Sequence, residues 1–436
     1  MIDGGLRKEP HINDEDEQSL NVTFASRSSM RQRRGRCGRT KPGKYIHTRQ
    51  RAQDPFVPYD DEQRLDHSIP EIQRVEVDRT VLMVAAYGLD ARKLEFPNNI
   101  PKKVVKHAKQ YLHELGALDE YGVITEMGRK MNQLPVAPAI SRMIIESEQY
   151  SAHTRRQVLA IAASMESGGL AHNVSRVPQS WRGLVESDSS DFLAQLELFI
   201  AMDGMSQPEQ IYHRLDIKNN QDARDLYAKL LKRTGVGYGK PEPPTEKEAA
   251  NIERCVLAGM ASYLYRYEGQ DTYQRVHETA GTPRELSNRS VVYGRPSLVV
   301  GHPYGFETWE SGELVSKHII EKAAAVGNPA VLGEVATGMC VWRPQEYTLR
   351  GGQLMQRERQ LYRNKMDLGV SRDVVVDGTD NEAAIDFLVQ HMLDNPGSAQ
   401  RQLRDIEKEL KDLRKRSREV PASIQDTILG IIREAA

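Results

Sequence analysis

From Arg27 to Arg51 the basic side chains are Arg27, Arg31, Arg33, Arg34, Arg36, Arg39, Lys41, Lys44, Arg49 and Arg51, and no acidic residue interrupts them. Within this run Gln32-Arg33-Arg34-Gly35-Arg36-Cys37-Gly38-Arg39 has its glycines three apart, each followed by an arginine. Read as a helix, Gln32, Arg36 and Arg39 stand at i, i+4 and i+7 and form one stripe. Gly35 and Gly38 keep the segment slim enough for a ligand or a second backbone to approach. Guanidinium forks pair bidentately with phosphate oxygens, so the chemistry suggested is polyphosphate binding. The plainer reading is a solvated basic patch, and the fixed spacing with its preceding glutamine argues against it. Cys37 occupies a variable place between the glycines and reads as a small filler.

The pattern resembles motif VI of superfamily 2 helicases in the form found in DEAH-box RNA helicases, of the bacterial HrpA-like branch or a related one. The resemblance implies that Gln32 is positioned at the γ-phosphate of ATP, and that Arg36 and Arg39 act as arginine fingers on the transferred phosphoryl group. It implies ATP with Mg²⁺ as cofactor, bound mainly by another RecA-like domain. It also implies single-stranded RNA or an RNA duplex as partner, with Ser26, Arg27, Arg284 and Arg289 assigned to the nucleic acid.

The sequence contains no G-x-x-x-x-G-K-[ST] phosphate loop, no Asp-Glu-x-His and no Ser-Ala-Thr. The loop and the metal-binding acid hold nucleotide and metal in such enzymes. The expectation is therefore the C-terminal portion of an ATP-dependent RNA helicase, not ATPase-competent alone, with a separate chain as a possible source of the first RecA-like domain. Two alternatives stay open: a non-catalytic RNA-binding or regulatory module, and a truncated reading frame.

The 436 residues allow two to four small domains. The net charge of −1 makes the basicity local. No apolar run is long enough for a transmembrane helix, and Cys37, Cys255 and Cys340 form no CxxC. No metal site, a reducing compartment and a cytoplasmic location follow as expectations.

The fold class expected is multidomain α/β plus mainly α. Residues 1–60 read as part of a second RecA-like domain, with a hairpin turning at 13–18. Residues 61–136 read as a winged helix. Its apolar stripes are Val77, Val81, Val84, Ala85 and Val104, Ala108, Tyr111, Leu112, Leu115, and Gly116 is a C-cap. Its phrases Pro70-Glu71-Ile72-Gln73-Arg74, Leu115-Gly116-Ala117-Leu118 and Thr125-Glu126-Met127-Gly128-Arg129-Lys130-Met131 resemble the same family. Residues 137–236 read as a helical ratchet domain, with a cap at 188–191. Residues 245–350 read as an OB-like β-barrel, with strand pieces at 262–267, 273–276, 291–293, 298–300 and 308–309. In it Tyr263, Tyr265 and Tyr267 alternate, either to stack bases or to pack. Residues 351–436 read as a helical extension: 353–362 as a charged helix, 380–392 as an amphipathic helix, and Leu403, Ile406, Leu410 and Leu413 as a short heptad-like seam.

Overall fold

The computed structural model describes residues 1–12, 18–47, 64–73, 77–98, 100–171, 180–276, 281–310, 313–350, 353–376, 382–394 and 408. The expected hairpin turn, most of the linker after Arg51 and the heptad-like seam lie outside them. The chain divides into two compact units, Met1–Met339 and Cys340–Ala436.

The first unit opens with β1 (Ile2–Asp3), β2 (Leu6–Ile12), β3 (Gln18–Phe24), α1 (Arg27–Arg34) and β4 (Ile46–His47). β1 and β4 pair in parallel, and β2 and β3 form the antiparallel hairpin from Leu6↔Phe24 to Ile12↔Gln18. Then come α2 (Asp78–Ala86), α3 (Lys102–Glu114) and α4 (Glu126–Asn132). α2 buries Val81, Leu82, Val84 and Ala85, and α3 buries Val105, Ala108 and Leu112. The buried α3 stripe thus begins at Val105, not Val104. Gly116 ends it in the left-handed region at φ +75°, where a side chain would be strained. A short antiparallel bridge, Leu118↔Ile124, makes the wing. Thr125 Oγ1 then caps α4 by accepting from Gly128 N at 3.0 Å.

Five helices follow: α5 (Pro138–Glu146), α6 (Ala152–Glu166), α7 (Asp191–Ala201), α8 (Gln207–Tyr212) and α9 (Ile217–Thr234). Each boundary has a local cause. Pro138 opens α5; Ser151, Ser190 and Asp216 cap α6, α7 and α9; and Gly235 at φ +66° stops α9. Val158, Leu159 and Ile161 of α6 are fully buried, each contributing about 1.5–3 kcal/mol of apolar transfer.

α10 (Glu246–Met260) starts on a Thr245/Glu248 capping box and packs along α5. Gly259 sits against the Ala139 carbonyl, where no side chain fits. After it come β5 (Leu264–Gly269), β6 (Thr272–Arg275), β7 (Arg284–Leu286), β8 (Leu298–Glu310), β9 (Glu313–Ala325) and α11 (Leu332–Val335). The strand order β8-β5-β6-β7-β9, with β8 also paired to β9, closes these five into a barrel. β7 and β9 are parallel and the other barrel neighbours antiparallel. The hairpin joins it: β3 pairs in parallel with β8 from Gln18↔Tyr304 to Leu20↔Phe306. The strand expected at 291–293 is absent. That segment is tied instead to the start of α7, with Val291 N donating to Asp191 Oδ1 at 2.7 Å and Tyr293 N to Asp188 O at 2.9 Å.

In the second unit β10 (Cys340–Arg350), β11 (Gln353–Tyr362) and β12 (Met366–Val375) form an antiparallel sheet, followed by α12 (Glu382–Asp394). Two expectations are corrected here. Residues 353–362 are the central strand, not a helix, and the extension after 350 is not all helical. Gln, Leu, Met, Arg and Glu favour helix, but only by roughly a few tenths of a kcal/mol each, and pairing on both edges outweighs that preference. β10, assigned from sequence to the barrel region ending at 350, belongs to this second unit. α12 does form, burying Ala384, Ile385 and Leu388. Among the described residues no helix is long and apolar enough to cross a membrane.

Candidate nucleotide-facing site

Ser26 starts α1: its Oγ accepts from Ser29 N at 3.2 Å, and only 3% of the residue is exposed. The helix is short. Its first turn has no acidic residue, and Arg31, Arg33 and Arg34 fill its last turn, where cations suit the macrodipole. Gly35 ends it, its N–H donating to Arg31 O at 2.9 Å. The single helical stripe expected from spacing is therefore corrected. Gln32 is helical, Arg36 lies in the turn that follows, and Arg39 comes after Gly38, which is left-handed at φ +82°. The Arg39 Nε reaches back to Gly35 O at 3.2 Å. The turn nevertheless leaves Gln32, Arg36 and Arg39 all exposed.

Beneath them is an anchor that spacing did not reveal. Arg33 Nη1 donates to Asp3 Oδ1 at 3.0 Å, and both its Nη atoms reach Leu6 O at 3.1 and 3.2 Å. Asp3 is 5% exposed and also accepts from Gly5 N at 2.9 Å and from the Tyr45 hydroxyl at 2.7 Å. Burial alone raises the Asp3 carboxyl, but the Tyr45 and Gly5 hydrogen bonds and the Arg33 charge outweigh it, so its pKa is lowered. Burial, then the bond to Asp3, pushes the Tyr45 phenol up to about 12. The buried Arg64 ties the hairpin to α1 by donating from Nη1 to Gly5 O at 2.8 Å and Ala25 O at 3.0 Å. Cys37 is the filler expected, its Sγ 2.9 Å from where a Cβ on Gly43 would stand. Arg33 thus holds the turn, and Arg36 and Arg39 are exposed.

This arrangement offers hydrogen-bond donors and positive charge to a bound anion. Among the described residues no group of three or more His, Cys, Asp or Glu could hold a metal ion.

A family model described as "Helicase associated domain (HA2), winged-helix" matches residues 110–136. The Schizosaccharomyces pombe pre-mRNA-splicing factor ATP-dependent RNA helicase prp22 is 27% identical over 327 residues, which are 73% of this chain and 26% of that protein. The crystal structure of the E. coli DExH-box NTPase HrpB superposes with a TM-score of 0.53 at 18% identity, covering 91% of this chain and 42% of that one. This chain is a relative of the DEAH-box helicases. It spans about a quarter of prp22 and less than half of the HrpB chain.

In this helicase relative the residues assigned to nucleic acid are not gathered in one place. Ser26 is a buried cap, and Arg27 pairs with Asp66 at 3.0 Å. Arg284 is 0% exposed, donates to Thr282 O at 2.9 Å and lies over the Tyr265 ring. It packs the barrel, and in this position no phosphate reaches it. Tyr265 and Tyr263 are buried too, so they pack and do not stack bases. Arg289 alone of the barrel pair lines open space, a groove of about 580 Å³ between hairpin and barrel. Lys8, Tyr304 and Phe306 line it as well, and no local pattern marks them because strand pairing brings them together.

Proposed function

We propose that this chain is the C-terminal portion of an ATP-dependent RNA helicase, HrpA-like or related. Gln32, Arg36 and Arg39 would complete an ATP site whose phosphate loop and Mg²⁺ ligands lie on a first RecA-like domain. The observation carrying this is the exposed Gln32/Arg36/Arg39 turn held from below by Arg33, Asp3 and Tyr45. When bound, ATP would supply the free energy of phosphoryl transfer. The turn's part is to keep two guanidinium groups where negative charge develops.

On this reading residues 1–60 are part of the second RecA-like domain, 61–136 the winged helix and 137–236 the ratchet domain. The barrel's strand order and its β7–β9 parallel pair support an OB-like module. RNA would pass along the groove beside Arg289. A second reading is a module that binds RNA without catalysis, for which the groove offers the cations Lys8, Arg289 and Lys317 beside the carboxylates Glu285, Glu307, Glu310 and Glu321.

Mixing the chain with a first RecA-like domain carrying the phosphate loop and DEAH motif separates the two. RNA-stimulated ATPase from the mixture supports the helicase reading; RNA binding with no ATPase in any mixture supports the second.

A further inference from the structure

A pocket separate from the nucleotide-facing turn lies where α6 and α7 meet the barrel, a cavity of about 100 Å³. Gly168 and Gly169, just past α6, line it in the left-handed region at φ +92° and +89°, so bare backbone bounds that side. Trp181, 5% exposed, lines another side. That wall is fixed: Arg182 lies over the Trp181 ring and donates from Nη2 to Ser290 O at 2.7 Å. Asp191 and Lys322 also line the pocket but are engaged. Asp191 accepts from Ser290 Oγ, Val291 N and Ala323 N, and Lys322 Nζ reaches Met165 O at 3.4 Å.

Three lining groups keep hydrogen-bonding capacity. Gln195 Oε1 accepts from Leu170 N at 2.8 Å, which fixes the amide, and its Nε2 has no acceptor among the described residues. Arg289 and Glu321 are half-buried. Among the described residues neither side chain makes a hydrogen bond or ion pair, with the other or with a third group. Both stand near Tyr304: burial raises the pKa of its phenol, the Glu321 charge adds to the rise and the Arg289 charge opposes it. Ser287, Arg289 and Glu321 line this pocket and the hairpin–barrel groove alike, so the pocket adjoins the groove. It presents two donors, the Arg289 guanidinium and Gln195 Nε2, and one acceptor, the Glu321 carboxylate. Away from bulk water such groups gain from a ligand that matches them.

We propose that this pocket takes a single unstacked pyrimidine base from an RNA strand lying in the groove, an inference that rests on the RNA-binding reading above. Size decides the ring. A cavity of about 150 Å³ holds a benzene ring. This one is smaller and adjoins the groove, so it admits one six-membered ring entering edge first and not the fused pair of a purine. Chemistry decides the edge. Uracil offers two carbonyl oxygens flanking an N–H, and cytosine an amino group beside two acceptors. Either edge gives acceptors to Arg289 and Gln195 Nε2 and a donor to Glu321. Single-stranded RNA is read in this way, through bases splayed out of the strand.

The test uses the full chain with a purine-only single-stranded RNA and the same strand carrying one central uridine, cytidine or abasic nucleotide. The wild-type chain should bind the uridine and cytidine strands about tenfold more tightly than the purine-only strand, and the abasic strand no better than the purine-only one. Gln195→Glu keeps the acceptor for Leu170 N and removes the Nε2 donor; Glu321→Gln keeps the shape and removes the charge. The first adds a negative charge and the second takes one away, so a purely electrostatic role would shift all strands together, in opposite directions for the two variants. Both variants should instead reduce the pyrimidine preference to within about twofold of none. Glu321→Gln breaks no hydrogen bond or ion pair among the described residues, so its melting temperature should hold, and it decides the matter where Gln195→Glu melts lower. The proposal is overturned if the wild-type chain binds all the strands alike, if the abasic strand binds as tightly as the pyrimidine strands, or if Glu321→Gln keeps the preference. RNA binding without preference overturns the pocket alone; no RNA binding by the chain overturns the pocket and the RNA reading together.

Discussion

Arg33→Ala removes a side chain that joins α1 to both β1 and β2. The loss comprises the bond to Asp3 at 3.0 Å and the bonds to Leu6 O at 3.1 and 3.2 Å. Breaking a fully buried ion pair costs about 3–5 kcal/mol, and a hydrogen bond to a charged group contributes about 1.5–3. The Asp3 side chain is 4% exposed but that of Arg33 is 32%, so water replaces part of what is lost, and Tyr45 and Gly5 N stay on the carboxylate. About 2 kcal/mol is the expected cost, roughly thirtyfold in local opening. α1 feels it directly, because a helix this short with no buried side chain has little stability of its own. Amide hydrogen exchange over Arg27–Arg34 measures the effect: exchange should quicken about thirtyfold while α5 and α6 keep their protection. The same anchor predicts a pH response. The Asp3 pKa is depressed below its ordinary 3.8, so its contribution is fully present above that value and lost as pH falls through the lowered pKa. Exchange in α1 that changes less than about threefold on Arg33→Ala would refute the anchor.

In a reconstituted enzyme, Arg36→Ala or Arg39→Ala should abolish ATPase and leave RNA affinity within about twofold, because neither side chain packs the fold; parallel loss of RNA binding would make the turn an RNA contact. The pure chain should bind RNA weakly and with steep salt dependence, and show no ATPase; steady-state turnover by pure protein would contradict this. Gly128→Ala should destabilise the winged helix by about 1–3 kcal/mol, since its Cβ would meet the Ala117 carbonyl and Ile124, and a lowered melting transition is the readout. Burial raises Asp191 to about 6, against the donors Val291 N, Ala323 N and Ser290 Oγ and the Arg182 charge. Its raised pKa contributes stability that is present below the ordinary 3.8 and lost as pH rises through 6, so exchange at Val291 and Ala323 should quicken over that window and stay level in Asp191→Asn.

Much of the fold was legible in the sequence where the causes are local. The spacing of Val81, Val84 and Ala85, of Ala108 and Leu112, and the Gly116 stop mark α2 and α3 before any packing is known. The cap within 188–191 did the same for α7, where Ser190 is the residue that caps. Motif spacing alone also picked out Gln32, Arg36 and Arg39, which the fold leaves facing outward.

Partners far apart in the chain were not legible. Arg33 looked like one more cation in a basic run, and only β1 and β2 beside α1 turn it into an anchor on Asp3 and Leu6. Arg284 looked like a phosphate contact, and closure of the barrel buried it over Tyr265. Residues 353–362 carry helix-favouring side chains and become a central strand because β10 and β12 satisfy their backbone on both edges. Local steric and capping preferences act within a few residues and can be read from composition and spacing. Burial, ion pairing and strand closure depend on which distant segments meet, and the tertiary structure alone decides that.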